Sequence, residues 1–186
     1  MRFFTSDTHF FHENILRLCP EKRKEGFEEL ILNNFAAVLS HSSTLYHLGD
    51  FLWEEREGFL EAWRALPGRK VLVLGNHDRK PSRLSRLDLY FDEIYDSPLT
   101  VEVKGKKVLL YHFPSKDLRT YRFKGLQRFI TRKYFEEGAS LLLHGHVHYN
   151  VFGVFCGCHL NGVKCLNVNV EFTGFKPVSE EELPLW

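Results

Sequence analysis

Five short polar clusters hold the residues able to do chemistry: Asp7-Thr8-His9, Gly49-Asp50, Gly75-Asn76-His77-Asp78, the lone His112, and His144-Gly145-His146-Val147-His148. Together they offer carboxylates, an asparagine amide and several imidazoles, with no thiolate among them. Such a mixed oxygen and nitrogen set suits borderline divalent metals such as Mn, Fe, Co, Ni or Zn, and is too rich in nitrogen for Ca or Mg. The donors suffice for two ions, and a carboxylate such as Asp50 can bridge a pair. Paired ions roughly 3.5–4 Å apart serve in-line attack at phosphorus, and coordination lowers the pKa of a bound water from about 15.7 toward 7.

These clusters must be carried to one place by the elements that precede them. Each closes a run of β-forming residues, at 2–6, 44–48, 70–74, 108–111 and 140–143. Apolar strands bounded by glycine and followed by helical patterns predict an α/β sheet, in which the residues beyond the strand carboxyl ends share one crevice. Helices are expected at 10–19, at 27–40, where apolar residues recur with a helical period, and at 59–66, closed by Pro67-Gly68. Further strands are expected at 92–95, 99–103 and 107–111, the last two joined by the turn Lys104-Gly105-Lys106. Residues 113–133 read as a less regular insertion, residues 151–170 as a β-hairpin, and residues 177–183 as a short helix capped by Ser179.

The 186 residues predict one domain spanning the whole chain. Hydrophobic residues at 44%, charged residues at 26% and a formal charge of +1 exclude a strong global field, so any electrostatic preference is local. Residues 1–4 run into polar Thr5-Ser6-Asp7 too soon for a secretory h-region, and no apolar run approaches membrane-spanning length. With only four cysteines, the chain reads as cytoplasmic with reduced thiols and without a membrane partner.

In this order, each motif closing a strand, the clusters resemble the calcineurin-like metallophosphoesterases, whose pattern is Asp-x-His, Gly-Asp, Gly-Asn-His-Asp/Glu, a lone His, then Gly-His-x-His. The resemblance runs from Arg2 to about Val170 and is greatest to small, uncapped prokaryotic members. It implies a two-sheet αββα sandwich. It also implies one metal on Asp7, His9 and His148, another on Asn76, His112 and His146, and Asp50 bridging. His77 then stands beside the substrate and protonates or stabilises the leaving oxygen, while Asp78 orients its loop. Manganese is the expected metal, with Fe, Zn, Ni and Co as alternatives. A metal-bound hydroxide would attack the phosphoester in a single step. The chain departs from the protein serine/threonine phosphatases of the superfamily, which continue Gly-Asp into an Asp-Arg-Gly. Here Gly49-Asp50 runs into Phe51-Leu52-Trp53-Glu54, which argues against a phosphoprotein substrate.

The remaining residues bear on substrate. His12, at the start of the first helix, is a candidate phosphate contact or a capping residue. Arg79, Lys80, Arg83 and Arg86 flank the Asn-His-Asp motif, and residues 113–133 carry Lys116, Arg119, Arg122 and further cations among Phe113, Tyr121, Phe123 and Phe129. Cations interleaved with rings suit a nucleotide or single-stranded nucleic acid, with Arg119 and Arg122 as candidate contacts; such runs are also common as solvated helix faces. The expected function is therefore a phosphodiesterase. A phosphomonoesterase with the same site and a non-catalytic scaffold are the alternatives, the latter disfavoured because every ligand position is filled. His144 reads either as a residue holding a metal ligand or as core, His47 as packed in its strand, and His41 and His159 as surface histidines. Cys156-Gly157-Cys158-His159 with Cys165 invites a zinc site, but the one-residue spacing is not the usual knuckle, and small buried residues in a hairpin are the simpler account.

Overall fold

The computed structural model describes residues 1–149 and 156–185. Two sheets face one another. The first takes β1 (Arg2–Thr5), β2 (Thr44–His47), β3 (Arg69–Val73), β4 (Glu93–Tyr95) and, far along the chain, β9 (Val178–Ser179), in the order β4-β3-β2-β1-β9. Its first four strands run parallel and β9 pairs antiparallel with β1. The second holds β5 (Leu99–Val103), β6 (Lys106–Leu110), β7 (Leu141–His144) and β8 (Cys165–Asn167) in sequence order, with β5 antiparallel to β6 and the rest parallel.

Parallel neighbours need crossovers, and the sequence supplies them as α1 (Glu13–Leu18) and α2 (Phe27–Val38) between β1 and β2, and α3 (Phe59–Ala65) between β2 and β3. A short α4 (Pro81–Leu84) follows β3, and α5 (Lys124–Glu136) joins β6 to β7. Alternation along each strand sorts the core. Phe3, Leu45 and Leu72 turn to the helices and meet Phe27, Ile31, Phe35, Phe59 and Trp63. Phe4, Tyr46 and Val73 turn the other way into a core shared with the second sheet, to which α5 adds Ile130 and Tyr134. The register of that sheet puts Val108, Leu110 and Leu143 on one face and Leu109 and Leu142 on the other. The layers are helix, sheet, sheet, helix, the αββα sandwich.

Three expectations are corrected. Half of the supposed irregular insertion is α5, because Gln127, Ile130 and Tyr134 fall three and four apart and bury one stripe; the surrounding cations obscured that period. The hairpin expected over 151–170 lies partly outside the described residues, at 151–155. Its described remainder is a 3-10 turn (Cys158–Asn161) and β8, which extends the second sheet parallel to β7. The closing helix near residue 180 is likewise a single 3-10 turn, with Ser179 and Glu182 forming a reciprocal capping box.

Candidate active site

The carboxyl ends of β1, β2 and β3 lie side by side, and the loops that leave them are hydrogen-bonded to each other. The Asp7 amide donates to the Gly49 carbonyl at 2.9 Å and the His9 amide to that of Asp50 at 3.0 Å. Asp7, His9, Asp50 and His146 all hold left-handed backbone (φ 55, 48, 57 and 64°). Residues other than glycine visit this region at a cost, and such outliers gather where a site requires them. The glycines of the motifs answer to close approach. A Cβ on Gly75 would strike the Asp50 carboxylate, and one on Gly145 would strike Ser6 and Asp7. Asp78 locks two of the loops: its Oδ2 accepts from the Asp50 amide (2.7 Å) and the Gly75 amide (2.8 Å), and its Oδ1 from the Phe51 amide (3.0 Å). Burial and the charge on Asp50 push its pKa up to about 6 against these three donors.

Around this frame the polar side chains converge. His9 Nε2 lies 3.8 Å from Asp7 Oδ1 and 3.6 Å from Asp50 Oδ2, and His148 Nε2 lies 3.5 Å from Asp7 Oδ1. His112 Nε2 is 3.5 Å from Asp50 Oδ2, while Asn76 Oδ1 stands 3.0 Å from both His112 Nε2 and His146 Nδ1. Asp7, His9 and His148 form one group with all ligand atoms within 4.8 Å of one another, and Asp7, Asp50 and His112 form a second. Every residue expected at the metals therefore reaches one cluster.

The electrostatics of this cluster are those of a cation site. Burial opposes ionisation of Asp50, yet His112 holds its carboxyl below the usual range. Conversely, burial disfavours charge on His112, and Asp50 carries its pKa up to about 9. Asp7 Oδ1 and His9 Nε2 are buried with no hydrogen-bond partner. Orphaned buried polar atoms are costly, and two of them facing the same small volume fit donors made for a divalent ion, which displaces protons from such ligands when it binds.

An outer layer orients these donors, and sequence reasoning missed most of it. Glu171 Oε1 accepts from His148 Nδ1 at 2.9 Å, leaving Nε2 for the cluster, and accepts from Arg23 Nε at 2.7 Å. Arg23 is itself buried and donates to the Asp7 and Thr8 carbonyls. His148 and Arg23 keep Glu171 ionised in spite of its burial, with its pKa near 2. Asp117 stands 3.7 Å from His146 Nε2 and holds Arg119 through both carboxylate oxygens. Glu171 follows the last strand of the second sheet with no motif to mark it, and Asp117 is a lone acid among the cations of residues 113–133, with no local signal of its own.

The residues expected near substrate divide. A cleft of about 310 Å³ lies over the cluster, bordered by His9, His12, His77, His148, Arg119 and Tyr149. His77 has its amide on Asp50 Oδ1 (2.9 Å) and its carbonyl under Arg83 (3.0 Å), while its ring is 36% exposed. His12 is buried and stacked on Trp53, ring centroids 3.6 Å apart, and Arg83 covers Trp53 at 4.1 Å. Burial and the neighbouring His9 lower the pKa of His12 to about 3, so it faces the cleft as a neutral ring. Arg119 reaches the cleft but is committed to Asp117 and the His146 carbonyl. Arg122 is exposed, and its described bonds are local, from its amide to Thr120 and from Gln127 to its carbonyl. His47 packs in β2 as expected, its Nδ1 accepting from the Gly49 amide and its Nε2 meeting the Thr8 hydroxyl. His144 is fully buried with its Nδ1 on the Gly145 carbonyl.

The chain has relatives among known proteins. The AQ665 protein of unknown function from Aquifex aeolicus, known from a crystal structure, is 50% identical over 98% of this chain and 96% of that one, with a TM-score of 0.91. The uncharacterized protein MJ1445 of Methanocaldococcus jannaschii is 28% identical over 95% of this chain and 85% of its own length. The gene 66 protein of Mycobacterium phage L5 is 27% identical over 78% of this chain and 76% of its own length. The profile of the calcineurin-like phosphoesterase superfamily domain matches residues 2–167. That span contains all five clusters and both sheets save β9, so the chain belongs to the calcineurin-like phosphoesterase superfamily and is a metal-dependent phosphoester hydrolase.

Proposed function

We propose that the protein is a phosphodiesterase acting on a nucleotide or nucleic-acid type substrate, with one ion on Asp7, His9 and His148, a second on Asn76, His112 and His146, and Asp50 between them. Manganese is the ion proposed, one of the borderline divalent metals that this oxygen and nitrogen set suits. Bound there, such ions supply Lewis-acid charge for the phosphoryl oxygens and acidify a water. The chain's own contribution begins with the frame: Asp78 and the motif glycines fix Asp50, and Asp50 Oδ1 in turn fixes the main chain of His77. With its backbone pinned and its ring exposed to the cleft, His77 gives its Nε2 proton to the departing ester oxygen. Burial lowers the pKa of His77 from 6.5, against the pull of Asp50 Oδ2 3.9 Å from that nitrogen, so the protonated ring is a ready donor.

The observation that carries the diester reading is the pairing of the guanidinium groups around the cleft. Arg119 is neutralised by Asp117, and Arg83 is spent on Trp53 and two carbonyls. Neither is left to clamp a phosphomonoester dianion. Ile15, Leu18 and Tyr149 line one side of the cleft and suit an ester group. Tyr121, 86% exposed and covered by Lys124 at 4.3 Å, offers a ring and a cation to a base and a backbone phosphate farther out.

His77→Ala tests the central assignment. Turnover of a diester should fall by about 10² to 10⁴, with metal content per chain unchanged. Loss of metal in that variant would make His77 a ligand, and near-normal turnover would remove it from the chemistry.

A further inference from the structure

A second group of metal-type donors gathers at the end of β7. Cys156, Cys158, Cys165 and His144 each offer a ligand atom, and these four atoms all lie within 4.8 Å of one another. They come from three places in the chain: the end of β7, the 3-10 turn and its approach, and the start of β8. None of the thiols is in a disulfide. Cys156 Sγ and Cys165 Sγ stand 3.1 Å apart, beyond bonding distance.

His144 supplies the independent sign that something binds. Its ring is fully buried, its Nδ1 donates to the Gly145 carbonyl at 2.8 Å, and its Nε2 has no partner. The bond to the carbonyl fixes the tautomer, with the proton on Nδ1 and the lone pair on Nε2. A metal-binding histidine has this form, its second ring nitrogen held by a carbonyl. A disulfide between any two of the cysteines would leave the third thiol and this lone pair unused.

The one-residue spacing of Cys156-Gly157-Cys158 fits once the backbone is seen. The Gly157 amide donates to the Lys116 carbonyl at 2.8 Å, and a Cβ there would strike Leu118, so the chain passes close under the 116–118 segment and turns at once into the 3-10 helix. Both flanking thiols then reach the same volume. His159, adjacent in sequence, is not one of the four; His144, twelve residues before Cys156, takes its place.

The geometry points to a tetrahedral Cys3His zinc site, distinct from the phosphoesterase centre. Three thiolates and one imidazole select zinc, with bonds of about 2.3 and 2.0–2.1 Å and a ligand-to-ligand edge of about 3.8 Å. Four protein ligands leave no open position, so the role is structural. The site ties β7 to β8 and to residues 156–158. Cys156 also bridges Asp117, the residue that contacts His146 and Arg119. Zinc here would therefore hold the frame from which the Gly-His-Val-His loop departs.

Cobalt is the probe. Full-length protein is stripped of metal under reducing conditions and titrated with Co²⁺ alone. A thiolate-to-cobalt charge-transfer band should grow to one ion per chain, persist in Asp50→Ala, and fall by about a third or more in Cys158→Ser. Cys19 places a thiol within 4.8 Å of His148 and Glu171 beside the phosphoesterase cluster, so the band must also persist in Cys19→Ser. Where Cys158→Ser does not fold, His144→Cys serves instead, and its fourth thiolate should raise the band by about a third. Folded protein without the band, a band undiminished in Cys158→Ser, or a band unchanged in His144→Cys would overturn the assignment. So would metal-free protein with a Cys156–Cys165 disulfide, which would make the cluster a redox pair.

Discussion

Replacing Glu171 by Gln separates two jobs that one carboxylate performs. Glu171 is buried, accepts from Arg23 at 2.7 Å and from His148 at 2.9 Å, and also takes the Tyr149 amide at 2.8 Å. The amide keeps the shape but removes the charge, leaving the fully buried Arg23 guanidinium without its counterion. Breaking a buried pair from one side costs roughly 3–5 kcal/mol. Arg23 retains its bonds to the Asp7 and Thr8 carbonyls, so the lower end, about 3 kcal/mol, is expected. In a chain of this size that is a fall in Tm of about 6–12 °C. The second job is to hold His148 with Nε2 toward Asp7. Loss of such an orienting carboxylate weakens metal binding by about 10–100-fold. Thermal melts of metal-free protein read the first effect, and calorimetric titration of stripped protein with Mn²⁺ reads the second. An unchanged Tm would refute the reasoning about the buried pair. A lowered Tm with unchanged Mn²⁺ affinity would show that Glu171 does not position His148 for metal.

Other changes test other parts of the account. Gly145→Ala forces a methyl onto Ser6 and Asp7; overpacking of this kind costs about 1–3 kcal/mol, and bound metal per chain, read by elemental analysis, should drop with it. Asp78→Ala leaves three buried amides without an acceptor, at about 1–3 kcal/mol for an unsatisfied group, and should lower both Tm and turnover; a stable, active variant would contradict its role as the clamp between loops. His47 is fully buried, and burial lowers its pKa from 6.5 to about 3. The unfolded chain therefore binds its proton first, so its contribution is intact above pH 6.5 and is lost as pH falls toward 3, by about 5 kcal/mol at most; His47→Gln should flatten stability against pH in that window, measured by urea melts. Arg122→Ala should weaken the salt dependence of the rate on an oligonucleotide while leaving bis-p-nitrophenyl phosphate hydrolysis unchanged, and equal salt dependence would remove Arg122 from substrate binding.

Most of the fold was legible because the strands are short apolar runs that stop at glycine or at a polar motif. β1, β2, β3, β6 and β7 stand within a residue or two of where those runs end. The site was legible for the same reason: once the strands are parallel neighbours, their ends must meet. What stayed hidden depends on contacts between distant residues. Glu171 and Arg23 are 148 positions apart and carry no local pattern. α5 was hidden by its cations, since its buried stripe includes a glutamine. β8 adds only three residues, and its partner is a parallel strand more than twenty residues earlier, so no turn announces it. The cysteine cluster stayed hidden because Cys156-Gly157-Cys158 lacks the usual two-residue knuckle spacing and its fourth member, His144, comes from the end of β7.

The most direct measurement is hydrolysis of bis-p-nitrophenyl phosphate beside p-nitrophenyl phosphate, using stripped protein reloaded with Mn²⁺. The account predicts metal-dependent turnover with preference for the diester and its loss in His77→Ala. Preference for the monoester would contradict the diesterase reading, and inactivity on both with two ions bound would contradict the catalytic assignment of the cluster.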